Sequence, residues 1–259
     1  MKQKFMIIAT IVVSIIIVLV ISLMFIYKDQ TVAVLGYHTF IKNKDRTKEN
    51  KYDNMILDIE KFEEQLIYLK KHNYKTLTLE EFYCFHQGKC KIPRKSILIT
   101  MDDGYQSNYN LAFKLLKKYN MNAVVFYLGK NATGENENFM NLKTLKKISK
   151  EYPNIEIASH SYDLHYKGAI NQEKKYIIKD INNMKKIVSS KYYAYPYGEY
   201  NQQMIESLKD NNYKMAFTFG PGKEHRKASR KDNVYQIPRL NISNDMPLWK
   251  FTLRINLPN

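Results

Sequence analysis

Short runs of apolar residues alternate along most of this chain with longer stretches whose apolar positions recur every three or four residues. The short runs predict strands at 31–36, 96–100, 122–128, 155–158, 192–195 and 215–219. The longer stretches predict helices at 58–71, 108–119, 142–150, 172–188 and 202–210. In the first of these helices Phe62, Leu66 and Leu69 share one side. Residues 41–54 and 221–235 are polar and read as loops. Strand followed by helix, repeated, implies parallel β-α units. About seven such units suit a barrel better than an open sheet. In barrels of this kind the working residues gather at the C-terminal ends of the strands.

The first segment departs from that pattern. Residues 5–27, between Lys4 and Lys28, carry no charge. As a helix they span about 30 Å of hydrocarbon or a little more. A cleaved signal peptide has a shorter apolar stretch and ends in small residues. Here Leu23-Met24-Phe25-Ile26-Tyr27 is bulky, which favours an uncleaved anchor. Lys2 and Lys4 place the N-terminus in the cytoplasm and the rest of the chain outside the cell membrane, in a single pass. The expected organisation is a transmembrane anchor at 1–30 and a catalytic domain at 31–259.

Charge and cysteine content narrow the setting. The sequence holds 41 basic and 25 acidic residues, and two of the lysines precede residue 28, so the outer part carries a net charge of +14. No nucleic-acid motif accompanies that charge. Outside a cell, its partners would be anionic lipid headgroups or wall polymers, with a lysine-rich composition lacking any specific partner as the alternative. Cys84 and Cys90 can close a small loop or remain two thiols. With only His86 nearby they are too few for a zinc site.

Chemistry concentrates in two strings. Thr100-Met101-Asp102-Asp103-Gly104 follows a predicted strand, as does His160-Ser161-Tyr162-Asp163-Leu164-His165. One carboxylate and two imidazoles make a three-point face for a divalent metal, with positions left for water and substrate. The second carboxylate is then free to take a proton from that water. Adjacent strand residues point to opposite faces, so Gly104 is expected to relax the backbone and let both carboxylates reach one cavity. The alternative is a solvated Asp-Asp-Gly turn. The histidines lie five positions apart, which excludes one helix face and requires a strand end plus a loop. Asp163 between them is either an orienting partner of one ring or an exposed turn residue.

Taken in order with Tyr195-Pro196-Tyr197-Gly198, these strings resemble the polysaccharide deacetylases of carbohydrate esterase family 4, the NodB-homology domain. The resemblance runs from about Ile97 to Phe219 and implies a distorted (β/α) barrel. It implies Asp103, His160 and His165 as ligands of a divalent metal, zinc in such a donor set, with iron, cobalt or nickel as alternatives. It implies Asp102 as general base and the backbone N–H of Tyr197 as an oxyanion donor. The arginine that steadies the base in many members is missing from the Ala194-Tyr195-Pro196-Tyr197 motif. Arg239 is the candidate substitute, with an ordinary surface arginine as the alternative. No histidine follows His225, which sits in a highly charged loop. His38, in Gly36-Tyr37-His38 after the first strand, is therefore the better candidate for the general acid, against a merely packed histidine. An N-terminal strand bearing that acid implies a circularly permuted barrel, as in the subgroup acting on poly-β-1,6-N-acetyl-D-glucosamine in biofilms. Trp249, Tyr105 and Tyr197 are candidates to line a glycan groove.

The expectation is a metal-dependent, membrane-anchored, extracellular N-deacetylase of a polysaccharide. Its substrate would be the β-1,6-linked polymer, or alternatively peptidoglycan. The rival from another class is an inactive glycan-binding protein.

Overall fold

The computed structural model describes residues 6, 10–18, 30–219 and 226–257. Two units are distinguished, Met1–Gln30 and Thr31–Asn259. In the first, residues 10–18 are helical. The hydroxyls of Thr10 and Ser14 donate to carbonyls four residues back, which satisfies them inside an apolar helix. Most of the 5–27 segment lies outside the described residues. Among the described residues no helix is long and apolar enough to cross a membrane.

In the second unit a curled sheet runs in the order β10-β1-β5-β6-β7-β8-β9. The central members are β1 (Thr31–Tyr37), β5 (Ser96–Asp103), β6 (Ala123–Tyr127), β7 (Ile155–Ser159), β8 (Tyr192–Ala194) and β9 (Met215–Phe217), all parallel. Short β10 (Ala228–Ser229) joins β1 antiparallel. The edges are bridged by residues 237–241. Ile237 pairs with Phe217, and Leu240 of β11 (Leu240–Asn241) pairs with Leu35. The expected barrel is thus a curled sheet of seven strands in sequence, closed through one irregular segment rather than a regular ladder.

The curl sorts side chains by parity. Ile97, Ile99 and Met101 of β5 face the outer helices. Those are α1 (Ile59–Lys71), α3 (Phe113–Tyr119), α4 (Leu142–Glu151) and α7 (Leu248–Asn256). Leu98 instead joins Val34, Val124, Phe126 and Phe217 inside the curl. Every residue of β5 is buried, as a strand covered on both faces requires. The floor of the curl is plugged by α2 (Leu79–His86), whose Phe82 packs on Phe217. The helix starts at a capping box between Thr78 and Glu81.

The expected helices at 58–71, 142–150 and 202–210 form within a residue or two of those bounds, the last as α6 (Gln202–Asp210). The expected 172–188 helix is α5 (Lys174–Ile187). The stretch 108–119 opens instead with a π-turn at Asn108–Ala112 before α3. Helices α2 and α7 were not expected. Nor was the two-stranded β2 (Thr39–Ile41) and β3 (Ile56–Asp58) pair that flanks the 42–55 loop. Cys84 of α2 forms a disulfide with Cys90 in the chain that follows the helix.

Candidate active site

The C-terminal ends of β1, β5, β7 and β8 open into a cleft of about 1140 Å³ lined by His38, Asp102, Asp103, His160, His165 and Tyr197. Asp102 shares the inward parity of Leu98 and Thr100. Asp103 would point outward in regular strand geometry. It adopts φ +66°, a left-handed conformation that aspartate tolerates better than most residues, and so turns into the same cleft. The reversal expected of Gly104 is therefore made already at Asp103.

Asp102 is held by Arg239. The guanidinium donates to both carboxylate oxygens, at 2.7 and 2.9 Å, to the Thr218 carbonyl at 2.9 Å and to Thr100 Oγ1 at 3.2 Å. It lies between the rings of Phe126 and Phe219 and has no solvent exposure. The surface alternative for Arg239 is thus excluded. Burial works against ionisation of Asp102, but Arg239 and His160 outweigh it and hold the carboxyl below the usual carboxylate range.

Asp103, His160 and His165 bring one donor atom each to within 4.8 Å of one another. Asp103 Oδ1 lies 3.4 Å from His160 Nε2 and 2.9 Å from His165 Nε2. His160 donates Nδ1–H to the Ala194 carbonyl at 2.8 Å, which leaves the Nε2 lone pair facing the carboxylate. Asp103 Oδ1 is buried with no hydrogen-bond donor of its own. An anionic oxygen facing that lone pair is repelled unless a positive charge, an ion or a ring proton, lies between them. The donor set therefore fits a divalent ion. Burial opposes ionisation of Asp103 as well, yet the two histidines, when their rings carry protons in place of an ion, drive its pKa well below the ordinary value.

His38 stands at the end of β1, its Nε2 3.9 Å from Asp102 Oδ2 and its ring edge-on to Phe219. Burial lowers its pKa, against the pull of Asp102 and Asp103. Gly36 makes this packing feasible, since a Cβ there would stand 2.3 Å from the Phe219 ring. Tyr197 has φ +57° and follows Pro196, and Gly198 behind it has φ +71°. A Cβ on Gly198 would overlap the Phe219 backbone, so glycine is required at that turn. The Tyr197 ring sits 5.0 Å from that of His165. Tyr105 also lines the cleft and stacks on Phe139 at 4.7 Å. Trp249 does not line it and stands two-thirds exposed on α7. Asp163 is the exposed turn residue of its two readings, paired with Lys130. His225 lies outside the described residues.

One contributor escaped the sequence reading. Asp180 of α5 accepts three successive backbone N–H groups of the loop between the two histidines. Its signal was visible: it is a charged residue on the apolar stripe of Ile177, Ile181 and Met184.

Comparison with known proteins gives the family of the chain. The sequence profile described as polysaccharide deacetylase matches residues 89–216. A poly-β-1,6-N-acetyl-D-glucosamine N-deacetylase of Staphylococcus aureus is 31% identical over 242 residues, covering 85% of this chain and 81% of that protein. The chain belongs to the polysaccharide deacetylase family. It is an N-deacetylase, a hydrolase of carbon–nitrogen bonds other than peptide bonds. The deacetylase PplD of Streptococcus pyogenes shares the fold, with a TM-score of 0.77 at 21% identity over 89% of this chain and all of that one. IcaB of Ammonifex degensii does so with a TM-score of 0.68 at 22% identity over 84% of this chain and 94% of that one.

Proposed function

We propose that this deacetylase removes acetyl groups from N-acetylglucosamine units of poly-β-1,6-N-acetyl-D-glucosamine in a biofilm matrix. The 31% identity to the staphylococcal enzyme supports the choice of substrate. The observation that carries the chemistry is the orphaned Asp103 Oδ1 between two imidazoles, beside a carboxylate pinned by Arg239.

Asp103, His160 and His165 would hold one divalent ion, and zinc suits that donor set. When bound, such an ion would supply a Lewis acid for the acetamide carbonyl and make a nearby water more acidic. Asp102 takes the proton from the attacking water. Arg239 keeps the Asp102 carboxylate ionised and fixes its orientation. The backbone N–H of Tyr197 donates to the oxyanion as the carbonyl carbon becomes tetrahedral. His38 gives a proton to the amine nitrogen as the C–N bond breaks, since an amide anion is too basic to leave alone. Tyr105 and Tyr197 offer flat faces to sugar rings. An acid carried on the N-terminal strand, next to β5, corresponds to a permuted order of the barrel units.

The apolar 5–27 segment anchors the enzyme in the cell membrane with its catalytic domain outside. Protease treatment of intact cells digests the domain under this arrangement, and its protection would reverse the orientation. Acetate release from β-1,6- and β-1,4-linked N-acetylglucosamine oligomers, with and without a chelator, tests the activity. Release from the β-1,6 oligomer that stops on ion removal and returns on adding zinc is expected. Release from the β-1,4 oligomer alone would transfer the enzyme to peptidoglycan. Turnover indifferent to the chelator would overturn the metal assignment.

A further inference from the structure

We infer that Asp180 is a positioning residue of the metal centre, holding the loop that presents His165. The inference rests on the reading that Asp103, His160 and His165 bind a metal ion.

The two histidines are supported differently. His160 directly follows β7 and is tied to the neighbouring strand through Ala194. His165 lies in irregular chain, five residues on, and is about a quarter exposed. Nothing in strand geometry fixes where its ring falls. The loop leaves β7 through Ser161, which is buried and held at φ +76°, an unusual conformation for a residue with a Cβ. The next three amides then converge on one side chain. Asp180 Oδ2 accepts from Tyr162 N at 2.9 Å. Asp180 Oδ1 accepts from Asp163 N at 2.7 Å and Leu164 N at 3.1 Å. His165 N–H closes the turn on the Asp163 carbonyl at 2.8 Å. Asp180 is itself buried, and among the described residues no basic side chain forms an ion pair with it.

Three main-chain N–H groups, with the Ser161 hydroxyl beside them, are what meets this buried carboxylate. It anchors the loop from α5, an element packed into the fold, so the loop need not wait for an ion to be shaped. Both oxygens are used, so an amide cannot replace it. Asparagine would set its NH₂ group against the Tyr162 N–H in one orientation, or against those of Asp163 and Leu164 in the other, losing an acceptor either way. The five-residue step between the histidines follows from this arrangement: one residue to turn, three to dock, then the ligand.

Metal affinity of the purified full chain tests the inference. Dissociation constants for Zn²⁺ and Co²⁺ are measured by chelator competition for wild type, Asp180→Asn and Asp210→Asn. The last makes the same chemical change at an exposed carboxylate on α6. We expect Asp180→Asn to weaken binding about 10- to 100-fold and to alter the Co²⁺ absorption spectrum, with Asp210→Asn matching wild type. A folded Asp180→Asn that binds both ions like wild type would overturn the inference and leave the metal reading intact. A wild type that binds neither ion would remove the metal reading, and this inference with it. Hydrogen exchange on stripped wild type adds a test that needs no variant. The amides of residues 162–164 are expected to be protected before any ion is added, and protection that appears only with the ion would contradict the role of Asp180.

Discussion

Arg239 and Asp102 form a buried pair whose members depend on each other. Replacing Arg239 by methionine keeps much of the volume but leaves a buried carboxylate without its cation. We expect a loss of about 3–5 kcal/mol in unfolding free energy, read by urea denaturation, and a fall in acetate release of at least about 100-fold. A stable variant with normal turnover would show that Asp102 needs no such partner. His38 is tested by its leaving group. If it protonates the departing amine, His38→Ala should slow amide hydrolysis about 100- to 10,000-fold. An acetyl ester of an acidic phenol leaves without a proton, so its hydrolysis should fall far less. Equal losses on both substrates would assign His38 a packing role. These two residues show the limits of reading by motif. Asp103, His160 and His165 could be named together because their residue types and order carry the chemistry. Arg239 could be named only beside a surface alternative, because it comes from 137 positions further along the chain than Asp102, and burial against that carboxylate decided between the two.

Among the elements, β5 and β7 deliver the site by ending where they do, and the local pattern predicted both. Helix α2 was missed although its signs were present: the Thr78 and Glu81 capping box, and apolar Leu79, Phe82 and Phe85. Its brevity hid it, since eight residues offer little periodicity to count. This helix also carries a pH-sensitive joint. His86 on its last turn donates to the Asp232 carbonyl at 3.0 Å, and burial lowers its pKa. The unfolded chain then binds a proton more readily than the folded one. The stabilisation from neutral His86 is fully present above about pH 6.5 and is lost as pH falls through the lower folded value. His86→Gln removes that titration while keeping a donor. Between pH 7.5 and pH 5 the urea midpoint of wild type should fall more than that of the variant. Parallel curves for the two would show that His86 does not sense pH in the fold.

For the whole molecule, charge is the property with reach. Residues 28–259 carry a net +14, and each deacetylation adds an amine that is cationic near neutral pH. The enzyme therefore repels a product that its own action makes more basic. Screening should relieve this, because the Debye length shrinks from about 30 Å at 0.01 M salt to about 10 Å at 0.1 M. The final degree of deacetylation of a long β-1,6 polymer should accordingly rise over that range, while initial rates on a neutral trimer stay nearly constant. An extent of reaction unaffected by salt would show that long-range charge does not limit processing.

Sequence alone determined the alternation of strand and helix, the parallel sheet it implies, and the residue types of the candidate metal-ligating face. These are local or compositional properties, carried by periodicity and by motifs a few residues long. Tertiary structure decided how the chemistry is held. It turned Asp103 into the cleft through a left-handed backbone, buried Arg239 against Asp102, set His38 beside them and docked the His165 loop on Asp180. Each of these joins groups far apart in the chain or depends on a dihedral angle that neighbouring residues do not dictate, so only packing of the complete sheet and its helices could settle them.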